Sequence, residues 1–109
     1  MSNYLRVAAM ALLMSVGVAQ ASADAPAQAA TCVACHGEAG AKPILPTYPV
    51  IAGQYANYLA HALKDYRSGA RKNAVMAGIA GVLSDEDIKV LSQYFSQQEG
   101  PLYTPSVGQ

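Results

Sequence analysis

Two stretches of the chain repeat apolar residues at helical spacing. In the first, Tyr55, Tyr58, Leu59, Ala62, Leu63 and Tyr66 recur three or four positions apart, the spacing of one helix face. Asn57, His61, Lys64, Asp65 and Ser68 take the opposite face, and Gly69 follows where a carboxyl-terminal cap belongs. The second predicted helix runs from about Asp85 to Gln98, with Ile88, Leu91, Tyr94 and Phe95 on one side. Ser84 is its expected N-cap, and Asp85, Glu86 and Asp87 sit at the positive end of its dipole. Leu83 and Ile88 stand where a hydrophobic staple needs them, and Gly100-Pro101 stops the run. A shorter helix is expected from near Pro26 through PAQAATCVAC into the cysteines. No stretch alternates apolar and polar residues with β-branched enrichment, so the chain reads as all-α.

Between these helices lie two predicted loops. The first, between Gly37 and Gly53, carries Pro43, Pro46 and Pro49, which restrict φ and remove amide donors. The second, Gly69 to Leu83, holds Met76 and the permissive Gly78 and Gly81. Residues 100–109 show no periodicity and read as a flexible tail or one laid over the surface.

The first 23 residues follow a different pattern. Arg6 precedes the uncharged run VAAMALLMSVGVA, and Ala21-Ser22-Ala23 gives the small-x-small pattern of a signal-peptidase site. A spanning helix needs roughly 20 apolar residues, more than this run provides. Residues 1–23 are therefore expected to be a signal peptide cleaved after about Ala23, with an uncleaved anchor as the alternative. Residues 24–109 form one domain, exported to the periplasm and without stable membrane insertion once the leader is gone. Removing the leader takes Arg6 and leaves six Lys and Arg against seven Asp and Glu. That near-neutral balance lacks the basic excess that nucleic-acid binding calls for. A domain this small buries a modest core and often depends on a cofactor, metal or disulfide.

Its two cysteines supply the chemistry. Cys32-Val33-Ala34-Cys35-His36 is C-x-x-C-H, the attachment sequence of haem c. Two thiols three positions apart at a helix end can each add to a vinyl group on one porphyrin edge, and the next residue brings an imidazole under the ring to the iron. Three other readings compete. A disulfide oxidoreductase wants a preceding strand and a βαβ context, a structural zinc site wants a second ligand pair, and a plain disulfide leaves His36 unexplained. With Met1, Met10 and Met14 lost with the leader, Met76 is the one methionine left as sixth ligand. His61, the other histidine, falls on a polar helix face and reads as a solvated surface residue.

CVACHG, PTYPVIAGQYANYL, YRSGARKNAVM and LSDEDIKVLSQYF follow in that order, and with them the chain resembles the class I cytochromes c. The likeness is to small bacterial monohaem members and to one half of the tandem dihaem cytochromes. It spans roughly Ala30 to Phe95. It implies a small fold of three to five helices around one covalently bound haem c and its iron, with terminal helices that cross. That crossing would set the Ala30–Ala34 surface against Leu91 and Tyr94. The resemblance also implies that the Pro49 carbonyl receives the other imidazole nitrogen of His36, and that Gln54, Arg71 and Asn73 line the haem edge or its propionates. For Arg71 a solvated charge remains an equal reading. Gly37-Glu38-Ala39-Gly40 departs from relatives, which often carry Asp before the second glycine. Tyr55, Tyr58, Leu59, Leu63, Ile51, Ile79 and Val82 are the expected apolar pocket.

An iron closed by His36 and Met76 suits one-electron transfer rather than substrate turnover. The expected activity is a periplasmic electron carrier, not an enzyme, serving redox proteins such as a quinol-oxidising complex, a terminal oxidase or reductase, or a dehydrogenase. A lone domain with short termini favours that reading over a dedicated haem subunit of one oxidoreductase. A third reading is a ligand-binding or peroxidatic haem protein with a labile Met76. Lys64, Arg67, Arg71 and Lys72 invite a basic rim opposing the 85–87 acidic cluster, although a solvated face is the preferred reading.

Overall fold

The computed structural model describes residues 24–106; the expected signal peptide, 1–23, and the last three tail residues lie outside them. Four α-helices occur among the described residues, and no strand. They are α1 (Ala29–His36), α2 (Ala56–Ser68), α3 (Ala74–Ala80) and α4 (Asp85–Ser96), with one 3-10 turn at Glu38–Gly40.

Local signals set most of the boundaries. Ser84 caps α4 through a reciprocal pair: its hydroxyl accepts from the Asp87 amide and its own amide donates to the Asp87 carboxylate, both at 3.0 Å. This is a capping box with Asp in place of the usual Glu or Gln. The helix ends at Ser96, two residues before the expected end and ahead of Gly100-Pro101. Gly69 closes α2 in the left-handed region at φ 84°, where glycine has no Cβ penalty. α1 starts three residues later than Pro26 and lacks a side-chain cap.

The helix α3 corrects the sequence reading, which left 69–83 as loop and Met76 off any helix. Asn73 is extended and accepts the Met76 amide on its side-chain oxygen at 3.0 Å, which starts a helix that carries Met76 in its first turn. Seven residues make fewer than two turns, too short for a periodic signal, and Gly78 in the middle weakens the pattern further.

α2 packs against both α3 and α4. Ala29, Leu59, Leu91 and Phe95 form a buried cluster, with Cys32, Val33, Ile51, Leu83 and Tyr94 packed on it. α1 thus meets α4 through Ala29, Cys32 and Val33; Ala30 and Ala34, expected at that contact, are exposed. A helix this short presents one narrow stripe: Cys32 and Val33 lie within the expected span, and Ala29 extends it by one residue. The ends of α1 and α4 are also tied by a 2.7 Å bond from the Gln28 amide to the Asp87 carboxylate. Arg67 on α2 donates to Asp85 at 2.6 Å and to the Leu83 carbonyl at 3.1 Å. Arg67 and Asp85 therefore pair across α2 and α4.

The tail as far as Ser106 has no regular structure but is fastened to the segment before α2. The Thr104 hydroxyl donates to the Gly53 carbonyl at 2.8 Å, and the Tyr55 hydroxyl donates to the Pro105 carbonyl. Gly53 in turn donates its amide to the Phe95 carbonyl at 2.9 Å, so the last turn of α4, the start of α2 and the tail share one anchor.

Candidate functional site

A cavity of about 390 Å³ opens between α1, the 37–54 loop, α2, α3 and α4. Its size falls in the usual range of small-molecule and cofactor sites. Cys32, Cys35, His36, Pro49, Gln54, Tyr58, Arg71, Asn73 and Met76 all line it. These residues are far apart in sequence, and the fold gathers them on one concave surface.

α1 delivers Cys32, Cys35 and His36 in its last turns, so the imidazole lies at the helix end and turns inward. His36 is 8 % exposed. Its Nδ1 lies 2.7 Å from the Pro49 carbonyl oxygen, the geometry of an N–H donating to a backbone acceptor. That bond fixes the ring plane and leaves Nε2 as the nitrogen with a free lone pair. Tyr48 stands beside the ring at 6.4 Å between centroids. Gly37 makes the exit from α1 possible. Its φ is 81°, and a Cβ there would come within 1.7 Å of the Lys42 carbonyl oxygen, which excludes every other residue. The Ile44 amide then returns to the Cys35 carbonyl at 3.1 Å, holding the loop against the cysteines.

Both cysteines are free thiols, each partly buried. Burial pushes the Cys32 thiol above its ordinary pKa, with a smaller opposing effect from a backbone hydrogen bond. A disulfide oxidoreductase instead lowers the pKa of its reactive cysteine. Among the described residues no group of three or more His, Cys, Asp or Glu could hold a metal, so a four-ligand structural zinc site is absent there.

The opposite wall comes from α2 and α3. Leu59, Leu63, Ile51 and Ile79 line the cavity as expected, and Leu91 and Phe95 reach it from α4. Two expected pocket residues do not line it. Tyr55 turns its hydroxyl to the tail, and Val82 is 84 % exposed in the turn after α3. A helical repeat read from sequence includes the first residue of the stripe, but Tyr55 precedes α2 and its backbone is already extended. Val82 was placed by hydrophobicity alone. Thr47, Tyr48 and Val75 also line the cavity and were missed, because no period marks residues in loops or in a helix of seven.

Several polar groups also line the cavity. Arg71 lies with its guanidinium carbon 4.9 Å from the Tyr66 ring centre and donates to the Tyr58 hydroxyl at 3.4 Å. The Tyr58 hydrogen bond is the largest influence raising the Arg71 pKa. Gln54 and Asn73 add amides. Ser92 lines the cavity too, and its buried hydroxyl has no partner among the described residues. His61 stays away from the site, 79 % exposed on its side chain and 3.2 Å from Asp65.

The donor set fits a covalently attached haem. Two thiols and an oriented imidazole stand on one wall of an apolar cavity, a thioether stands among the other lining residues, and a guanidinium and amides suit carboxylates at the edge.

Known proteins carry the same pattern. Residues 23–99 match the sequence model of the family described as cytochrome c. The chain is 49% identical over 72 residues to cytochrome c-554(548) of Halomonas halodenitrificans, across 63% of this chain and 86% of that one. It is 40% identical over 97 residues to a thiosulfate dehydrogenase electron acceptor of Thiomonas intermedia, across 89% of this chain and 44% of the relative. The solved structure of reduced cytochrome c4 from Pseudomonas stutzeri superimposes with a TM-score of 0.59 at 38% identity, covering 62% of this chain and 38% of that one. The chain thus spans less than half the length of these two longer proteins.

Proposed function

The chain belongs to the cytochrome c family, and from that premise we propose that it is a periplasmic one-electron carrier whose haem is held by Cys32 and Cys35 and whose iron is held by His36 and Met76. The chain has the all-α class I fold, and the family implies covalently bound haem c with its iron. The observation that carries this reading is the convergence of both thiols, the His36 imidazole and the Met76 thioether on a single apolar cavity.

Haem, when bound, supplies a single-electron couple at iron. The protein's own groups do the rest. Cys32 and Cys35 each form a thioether that fixes the ring in place. Pro49 holds His36 so that Nε2 faces the iron, and the hydrogen bond makes the imidazole a stronger donor. Met76 would supply a thioether to the iron and, with the apolar lining, would favour the ferrous state. Arg71, Tyr58, Gln54 and Asn73 supply donors for the haem carboxylates. An iron held by both His36 and Met76 would suit electron transfer rather than substrate turnover. Among the described residues no helix is long and apolar enough to cross a membrane, which agrees with a carrier that diffuses.

The partners proposed are a quinol-oxidising complex, a terminal oxidase or reductase, or a dehydrogenase. A second reading, the dedicated acceptor of one dehydrogenase, draws support from the likeness to a thiosulfate dehydrogenase electron acceptor. Purification of a stable complex with a dehydrogenase favours the second reading; a free monohaem protein that is reduced by several donors favours the first.

The main reading is tested on the exported protein by its absorption spectrum. A c-type reduced spectrum, haem retained through acid-acetone extraction, and an oxidised methionine–iron charge-transfer band are expected. In Met76→Ala the last of these disappears while the haem stays attached. A band that survives in Met76→Ala assigns the sixth ligand elsewhere.

A further inference from the structure

The helix that carries Met76 is poorly supported by its own sequence. At seven residues it is well below the length at which a helix holds in water by itself. Gly78 sits in its interior, with no atom beyond its chain neighbours and its own helix backbone within 4 Å of where a Cβ would stand, so no tertiary contact among the described residues offsets its conformational freedom. Neither its first turn nor its last carries a charge that would complement the dipole. Its carboxyl end is anchored, because Ala80 is fully buried and its carbonyl accepts from the Leu83 amide at 3.1 Å.

At the amino end Asn73 is the device that starts the helix. Its side-chain oxygen accepts the Met76 amide at 3.0 Å, and its carbonyl accepts the Ala77 amide at 2.8 Å. The residue that receives the side-chain bond is the one whose sulfur is assigned to the iron. Asn73 holds the backbone of Met76 directly, three residues from the sulfur-bearing side chain. The preceding residues, Ala70 to Lys72, have no helical structure, and the Arg71 amide reaches back to the Asp65 carbonyl at 3.1 Å.

We propose that Asn73 is a positioning residue that sets how much of the time Met76 is on the iron. The inference rests on the assignment of Met76 as sixth ligand. When the cap is intact, the first turn of α3 is formed and the thioether faces the cavity. When the cap is lost, that turn frays, and the open form competes for any outside ligand. An entering ligand that needs the Met-off form binds with an affinity reduced by the fraction of molecules in that form. Raising that fraction therefore raises the apparent affinity by the same factor.

The test uses the ferric holoprotein titrated with imidazole, followed by loss of the methionine–iron charge-transfer band. Asn73→Ala is expected to bind imidazole about fivefold more tightly than the wild type, the factor that a typical N-cap loss represents. Asn73→Ser, which keeps a capping acceptor, is expected to stay within about twofold, with Asn73→Gly between them. This graded order keeps the inference testable if Asn73→Ala does not mature. Equal imidazole affinity in all variants, or an order that ignores capping ability, overturns it. A wild-type protein with no methionine–iron band overturns the ligand assignment itself, and the inference with it. A normal wild-type band with unchanged variants overturns the inference alone.

Discussion

At the scale of single residues, Ala39 stands out as the one non-glycine among the described residues with positive φ, at 55°. A side chain there carries a steric cost of roughly 1–2 kcal/mol, which glycine avoids at some entropic cost. The resemblance to class I cytochromes c leads to an expected Asp at this position, a residue that tolerates the left-handed region, where this chain has alanine. The backbone here is fixed by its neighbours: the Gly40 amide bonds the Gly37 carbonyl at 2.9 Å, and the Gly40 carbonyl accepts the Ile51 and Ala52 amides. The strain therefore cannot relax by local movement. Ala39→Gly is expected to stabilise the holoprotein by ~0.5–1 kcal/mol in guanidinium unfolding, with an unchanged visible spectrum. A loss of stability would mean that the alanine methyl contributes more by packing than its backbone costs.

At the scale of elements, what could be read from the sequence depended on length. α2 and α4 were legible because each spans at least three turns, so a stripe repeats and a cap can be seen at one end. α1 was legible in outline through its alanines and the cysteine motif, and its contact surface extends one residue before the expected span. α3 was invisible to periodicity, and its one signal, an asparagine three residues before the methionine, was read as a haem-edge residue. Of the nine site residues, Pro49, Gln54, Arg71 and Asn73 came from the resemblance, while the residues themselves pointed to Cys32, Cys35, His36, Tyr58 and Met76. The path of the 37–53 loop was not legible, because it depends on Gly37 passing over the Lys42 carbonyl and on amide bonds to residues far away in sequence.

The start of α4 carries an acid-sensitive pair of carboxylates. Asp87 lies below the ordinary carboxylate range chiefly because the Ser84 amide donates to it, with help from the Ser84 hydroxyl contact and Gln28. Asp85 is lowered chiefly by its hydrogen bond from Arg67, with that guanidinium's charge adding to the effect. A carboxylate whose folded pKa is depressed contributes stability above its unfolded pKa, about 3.9 for Asp, and the contribution disappears as pH falls through the folded value. The holoprotein is thus expected to lose stability below about pH 4. Asp87→Asn should differ most from the wild type at neutral pH and converge with it in acid. Parallel curves from pH 7 to the acid limit would show that the cap contributes no pH-dependent stability.

At the scale of the whole molecule, the cavity takes up the space where a larger domain would place its core. Among the described residues the buried apolar ones are Ala29, Ala52, Leu59, Ala80, Ile88, Leu91 and Phe95, three of them alanines, and only Ile88 and Leu91 are large and fully enclosed. Leu63, Ile79 and Met76 instead face the cavity, with one side of Leu59 and Phe95. A porphyrin between α1, α2, α3 and α4 would give those side chains their apolar contacts and would complete the core that the helices alone leave open. Helix packing here is distributed around the site: α2 meets α3 and α4, while α1 meets α4 through a narrow patch. Burial is the main favourable contribution to folding, and a domain of this size has little to spare without its cofactor. A chain that cannot attach haem should therefore lack a cooperative fold. The double variant Cys32→Ser/Cys35→Ser is expected to show far-UV circular dichroism well below that of the holoprotein and a broad, non-cooperative thermal transition. If this variant instead keeps full helicity and a sharp transition, the α2–α4 packing and the capped helices suffice for the fold, and the haem is a guest in a preformed site.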